Sequence, residues 1–196
     1  MTLNEWCIFQ EGFDEETCKK IINLGGDDFN IAKVRSGSNG ELESSDVRVS
    51  DIKWLKDSRW MLDLIAPYIE HANIKSEWRF DVRGISQLQL TRYKEGGFYN
   101  WHSDGFGDHT AVRQYGDDPN KYVRKLSATV LLNDDYEGGE FQFCSYAKTE
   151  HVISTPEFNN IGSVIVFPSF IRHRVTPVTK GIRYSLVGWF VGPPFK

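Results

Sequence analysis

Long hydrophobic runs are absent from this sequence of 196 residues. Its apolar stretches are far shorter than the roughly 20 residues that cross a bilayer as a helix. The opening segment "MTLNEWCIFQEGF" also has neither the basic start nor the apolar stretch of a signal peptide. We therefore expect an intracellular, cytoplasmic protein with no membrane partner.

Cysteine is scarce. The chain has three, Cys7, Cys18 and Cys144, and no two of them are spaced as C-x-x-C. An odd number without that spacing argues against a disulfide framework and against a thiolate zinc site. The sequence predicts reduced, partly buried thiols.

Positive charge is not in excess. Lysine and arginine together number 23 against 27 aspartates and glutamates, which gives a formal net charge of −4. A general binder of phosphate backbones needs a basic face, so we expect no nucleic-acid partner. A local basic patch could still be hidden in this average.

The composition does suit a globular protein. With 40% hydrophobic residues, the chain is long enough to bury a sizeable core, and no linker or repeat divides it. We predict a single domain over residues 1–196, in which residues 1–80 give helical support and residues 81–196 form the β-rich core.

Two helices are predicted in the N-terminal part. The first begins at Asp14, a good N-cap, and stops at Gly25-Gly26. The second covers residues 57–73, where apolar side chains recur at helical spacing. Pro67 is expected to kink or split this second helix.

From about residue 78 the pattern changes to short strands separated by turns: "GISQLQLTRY", "KLSATVLLND", "GGEFQFC", "SVIVFPS", "HRVTPV" and "IRYSLVGWFV". Many short strands after two helices predict a mainly β fold, an antiparallel double-sheet barrel with the helices against one sheet. Two polar segments, residues 35–46 and 105–124, interrupt this pattern and are placed to act as lids.

A candidate metal-binding pair lies in "YNWHSDG". Residues two apart on a strand point to the same side, so His102 and Asp104 could reach one ion. Two histidines and a carboxylate are the ligand set of many non-haem iron(II) enzymes. On its own the tripeptide is weak evidence, because a solvated turn is its commoner explanation.

A third ligand must come from elsewhere in the chain. His173 opens a late apolar strand, whereas His71 lies at a helix end and His109 and His151 lie in polar contexts. A structural role for His173 remains an alternative. Ten residues further on, Arg183 would face the barrel interior, where a guanidinium needs an anion such as a dicarboxylate. A surface arginine at a strand end is the alternative reading.

Together these motifs resemble a known family. The segments "RYKEGGFYNWHSDG", "LSATVLLNDDYEGGEFQF", "GSVIVFPSFIRHRVTPVTKGIR" and "GWF", within residues 85–191, are similar to the prolyl 4-hydroxylase-like branch of the 2-oxoglutarate- and iron(II)-dependent dioxygenases. The resemblance implies a double-stranded β-helix, that is, a cupin-like jelly roll.

The resemblance also implies roles for individual residues. His102, Asp104 and His173 would bind iron(II), and Arg183 would hold the distal carboxylate of 2-oxoglutarate. Tyr93 and Thr129 would be further hydrogen-bonding groups for the co-substrate, so that three residues, these two and Arg183, would bind it. Animal collagen prolyl hydroxylases use lysine at the position of Arg183, so the resemblance is to the arginine-using members.

The reaction implied is hydroxylation of an unactivated C–H bond. O₂ and 2-oxoglutarate would be consumed, succinate and CO₂ released, and ascorbate would serve as reductant. The expected substrate is a proline in a flexible peptide or protein segment, since aromatic grooves suit such peptides. Candidate substrate contacts are Tyr99, Trp101, Trp189, Arg113, Tyr115 and Tyr122. Simple strand alternation would place Tyr99 opposite His102 unless a bulge intervenes.

Other functions stay open at this point. The same chemistry could act on another amino-acid side chain, a small molecule or a nucleobase. Nucleic-acid demethylases of this type carry a second arginine six residues after the first, where this chain has Trp189. A jelly-roll binding module without catalysis is a third alternative, but it leaves the combination of His102, Asp104, His173 and Arg183 unexplained.

Overall fold

The fold is taken from a computed structural model of the chain. It describes residues 4–32, 34–35, 41–42, 46–56, 59–105, 122–145, 151–154 and 157–195. Most of the two predicted lids, together with Arg113 and Tyr115, therefore lies outside the described residues.

Two helices and a series of short strands make up the described chain. The helices are α1 (Glu15–Asn23) and α2 (Arg59–Lys75). The strands are β1 (Cys7–Phe9), β2 (Asn30–Ile31), β3 (Val34–Arg35), β4 (Glu41–Leu42), β5 (Arg48–Val49), β6 (Asp51–Leu55), β7 (Gly84–Tyr93), β8 (Phe98–His102), β9 (Val123–Leu131), β10 (Glu137–Gly138), β11 (Phe141–Ser145), β12 (His151–Ser154), β13 (Val164–Pro168), β14 (His173–Val175), β15 (Val178–Lys180) and β16 (Arg183–Gly192).

Both predicted helices are present. The Asp14 carboxylate accepts a hydrogen bond from the backbone N–H of Thr17 at 2.7 Å, which satisfies one of the free amides at the start of α1. Helix α2 is not split at Pro67 but continues through it to Lys75. Four buried side chains of α2, Met61, Ile65, Ile69 and Ala72, pack in the main core on both sides of the proline. This tertiary packing holds the helix together across the missing N–H.

The strands form the predicted double-sheet architecture. A seven-stranded antiparallel sheet has the order β1-β13-β9-β16-β7-β6-β2, and a five-stranded sheet has the order β12-β11-β14-β8-β5. One apolar core lies between the helices and the large sheet, and a second, rich in aromatic rings, includes residues from both sheets. The mainly β, jelly-roll class predicted from the sequence is confirmed.

Residues 1–80 contribute more than the helical support expected of them. Strand β1 pairs with β13, β5 pairs with β8, and β6 pairs with β7, so this part extends both sheets. These strands are two to five residues long, and their pairing partners are distant in sequence. Short segments of this kind lack the periodicity that would predict them.

The structure also shows the state of the cysteines and the length of the helices. All three cysteines are free and buried, as predicted. No helix in the described ranges is long and apolar enough to cross a membrane.

Candidate metal centre

His102, Asp104 and His173 converge between the two sheets. His102 ends β8 and His173 begins β14, and the two residues are direct partners across this antiparallel strand pair. Asp104 follows just beyond β8, with its Oδ1 3.7 Å from Nε2 of His102 and its Oδ2 3.7 Å from Nε2 of His173. One donor atom from each residue lies within 4.8 Å of the others. The three residues predicted as iron ligands therefore form one cluster.

Backbone hydrogen bonds fix the orientation of both imidazoles. Nδ1 of His102 lies 2.8 Å from the carbonyl oxygen of Asn100, and Nδ1 of His173 lies 2.9 Å from that of Ile171. A carbonyl only accepts, so each Nδ1 carries the proton and donates it. Each Nε2 therefore presents its lone pair on the side facing Asp104, which is the tautomer that binds a metal.

The electrostatics of the cluster also suit a divalent cation. Burial lowers the pKa of His102 to about 3, helped by the neighbouring His173, so the His102 imidazole is neutral near pH 7. Burial alone would raise the pKa of the Asp104 carboxyl, but His173, His102 and Arg124 outweigh it and the pKa is lowered. Imidazoles and one carboxylate are the donor set that iron(II) takes in a facial triad with open positions. The residues present therefore fit the metal that the sequence predicted.

A serine pair supports the carboxylate. The Ser127 hydroxyl donates to Oδ2 of Asp104 at 2.7 Å, and a further hydrogen bond of 2.9 Å joins Ser127 to the hydroxyl of Ser169. The backbone N–H of Asp104 in turn donates to the carbonyl of Ser169 at 2.9 Å. Ser127 was not predicted from the sequence, although it lies two residues before Thr129 and therefore on the same face of β9.

Arg183 lies deep in the same pocket. Its side chain is only 1% exposed, and one Nη reaches the Ser185 hydroxyl at 3.3 Å. Its Nε has no hydrogen-bond partner among the residues that the structure describes. No carboxylate of the described chain lies within 4.0 Å of its guanidinium, which packs against the rings of Tyr93 and Tyr136. A buried guanidinium without a counter-charge is costly, so this end of the pocket suits a bound carboxylate.

One pocket joins the cluster to Arg183. It is lined by Arg48, Gln89, Thr91, Tyr93, Tyr99, His102, Asp104, Thr129, Phe141, His173, Val175, Arg183, Ser185, Val187 and Trp189. Tyr93 and Thr129, expected near the co-substrate, both line it. Among the expected substrate contacts, Tyr99 and Trp189 also line it.

Tyr99 reaches the pocket because β8 is irregular. Between Tyr99 and His102 this strand has one residue more than the facing segment of β14, where Val175 and His173 are the partners. Such an extra residue shifts the alternation of side chains by one. The Tyr99 ring consequently stacks on the His102 imidazole, with ring centroids 3.4 Å apart.

Two expected substrate contacts lie elsewhere. Trp101 does not line the pocket; its ring packs under the guanidinium of Arg174, which alternates in β14 with the pocket residues His173 and Val175. Tyr122 lies beside Arg83, also outside the pocket lining. The structure thus places Trp101 and Tyr122 outside the pocket lining, and their contact with a substrate stays a prediction.

Comparison with known sequences places the chain in a family. The sequence profile of the 2OG-Fe(II) oxygenase superfamily matches residues 88–191, just over half of the chain. The chain is 32% identical to a PKHD-type hydroxylase of Synechococcus sp. strain CC9902 over 111 residues, which cover 55% of this chain and 42% of that protein. It is 38% identical to one of Hyphomonas neptunium over 88 residues, 44% of this chain and 37% of that protein. The matches thus span less than half the length of these relatives. The chain belongs to the 2OG-Fe(II) oxygenase superfamily.

Solved structures extend the fold comparison to nearly the whole chain. A prolyl-4-hydroxylase of Pseudomonas putida superposes with a TM-score of 0.65 at 17% identity, covering 98% of this chain and 94% of that one. A prolyl hydroxylase of Trichoplax adhaerens, solved with a peptide fragment of hypoxia inducible factor, gives a TM-score of 0.69 at 15% identity and covers 95% and 83%. At these identities the likeness establishes the fold.

The first prediction concerns the two histidines. His102→Ala or His173→Ala should abolish tight binding of iron(II) or manganese(II), because each removes one of three donors. Calorimetric titration of the purified protein under argon measures this loss. His71→Ala is the matched control: His71 lies on α2 against Phe9, and this variant should bind metal normally. Full metal affinity in both site variants would contradict the assignment.

The second prediction concerns Ser127. Ser127→Ala should weaken metal binding about 10–100-fold, because the Asp104 carboxylate loses the hydrogen bond that orients it. The measurement is the same metal titration, accompanied by thermal unfolding. Ser163→Ala, which removes a buried hydroxyl bonded to Gln10 away from the cluster, should leave metal affinity unchanged. Equal affinities for the two serine variants would show that Ser127 does not position Asp104.

Proposed function

We propose that this chain is a 2-oxoglutarate- and iron(II)-dependent dioxygenase that hydroxylates prolyl residues in a peptide or protein. The observation that carries the proposal is the pocket itself. It contains His102, Asp104 and His173 together with Arg183, which no carboxylate of the described residues reaches. The metal-binding donors and the cationic residue face one space between the sheets. Membership of the superfamily supports the same chemistry.

The three donor residues would hold the metal. Bound iron(II) and 2-oxoglutarate supply an O₂-dependent oxidation in which the co-substrate is converted to succinate and CO₂. The protein keeps the imidazoles in the binding tautomer through Asn100 and Ile171 and orients Asp104 through Ser127. Phe141, packed against the His173 ring, limits the access of water on that side.

Arg183 would bind the distal carboxylate of the co-substrate. Its planar guanidinium offers two parallel N–H donors, which suit a carboxylate better than a lysine ammonium does. Tyr93 contacts this guanidinium and Thr129 lines the same pocket, so both can add hydrogen bonds from their hydroxyls. Gly139 allows this packing, since a Cβ there would lie 2.9 Å from Cδ of Arg183.

Aromatic rings at the other end of the pocket favour a prolyl substrate. Along β16, Trp189 lies six residues beyond Arg183 and on the same side, and Trp54 packs against it with ring centroids 5.8 Å apart. Tyr99 forms a second aromatic wall over His102. Proline-rich segments are pre-ordered and dock on aromatic surfaces with little loss of entropy. The prolyl hydroxylases among the fold neighbours support this substrate class.

The third prediction concerns Arg183. Arg183→Ala should raise the concentration of 2-oxoglutarate needed for half-maximal rate, because the bound carboxylate loses a buried charged partner, a loss of about 2–5 kcal/mol. Arg183→Lys should recover part of the affinity, since it keeps the charge without the fork. Succinate formation as a function of 2-oxoglutarate concentration measures both. An unchanged requirement in Arg183→Ala would refute this role.

The fourth prediction tests the substrate. Short proline-containing peptides incubated with enzyme, iron(II), 2-oxoglutarate and ascorbate should gain one oxygen on proline, as read by tandem mass spectrometry. Asp104→Ala is the matched control and should give no product. Oxygen found only on another side chain, a small molecule or a nucleobase would overturn the prolyl substrate while leaving the dioxygenase chemistry intact.

A further inference from the structure

Three arginines around the pocket have no acidic partner among the described residues. On the outer surface Arg59, Arg83 and Lys180 each form an ion pair with an acidic side chain. The three arginines nearest the pocket instead pack on aromatic rings: Arg48 on Tyr99, Arg124 on Trp189 and Arg183 on Tyr93. None of these three has a carboxylate within 4.0 Å in the part of the chain that the structure describes. The pocket is therefore locally cationic in a protein of net charge −4.

Two of these arginines already have a role in the proposed site. Arg183 lies at the buried end, where the proposed function assigns it the co-substrate. Arg124 donates to the backbone carbonyl of Asp104 at 3.1 Å, and its charge lowers the pKa of that carboxyl. Arg48 has neither of these roles, so its positive charge beside the pocket needs another explanation.

The surroundings of Arg48 hold its guanidinium in place without neutralising it. Its Nε donates to the Ser50 hydroxyl at 2.7 Å, and one Nη donates to the side-chain carbonyl of Gln89 at 3.1 Å. Asp51, three residues along the chain, is instead paired with Arg92 at 2.8 Å and with Lys94 at 3.1 Å. The other Nη has no acceptor among the described residues. Arg48 is thus a fixed, half-buried cation whose second Nη can still donate hydrogen bonds.

Its position is next to the metal cluster. Arg48 on β5 pairs with Tyr99 on β8, and its guanidinium carbon lies 4.5 Å from the Tyr99 ring centroid. The same Tyr99 ring is next to the metal cluster, since its centroid lies 3.4 Å from that of the His102 ring. An extended peptide advances about 3.3 Å per residue. A residue at the metal and a side chain at Arg48 are therefore separated by only a few peptide positions.

We propose that Arg48 binds the carboxylate of an aspartate or glutamate within three positions of the target prolyl residue, which makes the enzyme selective for acidic peptides. This inference rests on the proposed function. A guanidinium with free donors over an aromatic ring is a good receptor for a carboxylate. A nucleic acid fits less well, because tracking its backbone needs a basic face and this chain has an acidic balance.

The experiment compares matched peptides that differ at one residue. Each has a central proline and a glutamate, glutamine or lysine at one of the three positions on either side. Wild-type enzyme should hydroxylate the best glutamate peptide about tenfold faster than its glutamine counterpart at low peptide concentration, on the scale of a half-buried charge pair. Arg48→Gln should lose this preference, and Arg48→Glu should favour the lysine peptide instead.

The reversal in Arg48→Glu distinguishes recognition from a structural role, since damage to the fold would slow all peptides alike. Arg59→Gln, which removes an arginine from the outer surface of α2, is the control and should keep the wild-type preference. If wild-type enzyme hydroxylates the three peptides equally, the Arg48 inference fails while the proposed function stands. If no peptide is hydroxylated, or a methylated oligonucleotide is oxidised instead, both fail.

Discussion

The register between β8 and β14 is the constraint on which the site depends. It sets His102 directly opposite His173, although 71 positions separate them in the sequence. Because side chains alternate along a strand, a slip of one residue in either strand would turn one imidazole to the outer face. The extra residue in β8 adjusts this register locally and brings Tyr99 onto the same side as His102. Ligand geometry and the aromatic wall therefore come from a single strand pairing.

The buried charges of the pocket then determine which ligands it can bind. Asp104 and Arg183 both lie between the sheets, and the structure does not pair them with each other. Each is supported by neutral partners instead: Ser127 donates to the carboxylate, and Tyr93 packs against the guanidinium. A protein bears the cost of burying such charges when ligands of opposite charge complete them. A cation at Asp104 and an anion at Arg183 would do so, and they are the two cofactors from which the superfamily takes its name.

The sequence predicted those parts of the site that rest on local patterns. The spacing of His102 and Asp104, the apolar strand after His173 and the alternation that turns Arg183 inward are all visible within a few residues. The residues that it missed depend on long-range pairing. Arg48 lies in a two-residue strand whose only signal is its contact with β8. The side on which Tyr99 lies could not be read from alternation, because the irregularity of β8 shows only against its partner strand. Ser127 is the exception: it lies two residues before Thr129 on one strand, so its position on the same face could have been predicted from the sequence.

We propose that one metal ion is held by His102, Asp104 and His173, with a dicarboxylate between it and Arg183. A crystal structure grown without oxygen, with manganese(II) and 2-oxoglutarate, tests this most directly through the anomalous signal of the metal. We expect a single strong peak within coordination distance of both Nε2 atoms and the Asp104 carboxylate, and a co-substrate carboxylate on the Arg183 guanidinium. A peak at another site, or a 2-oxoglutarate molecule bound away from Arg183, would contradict it.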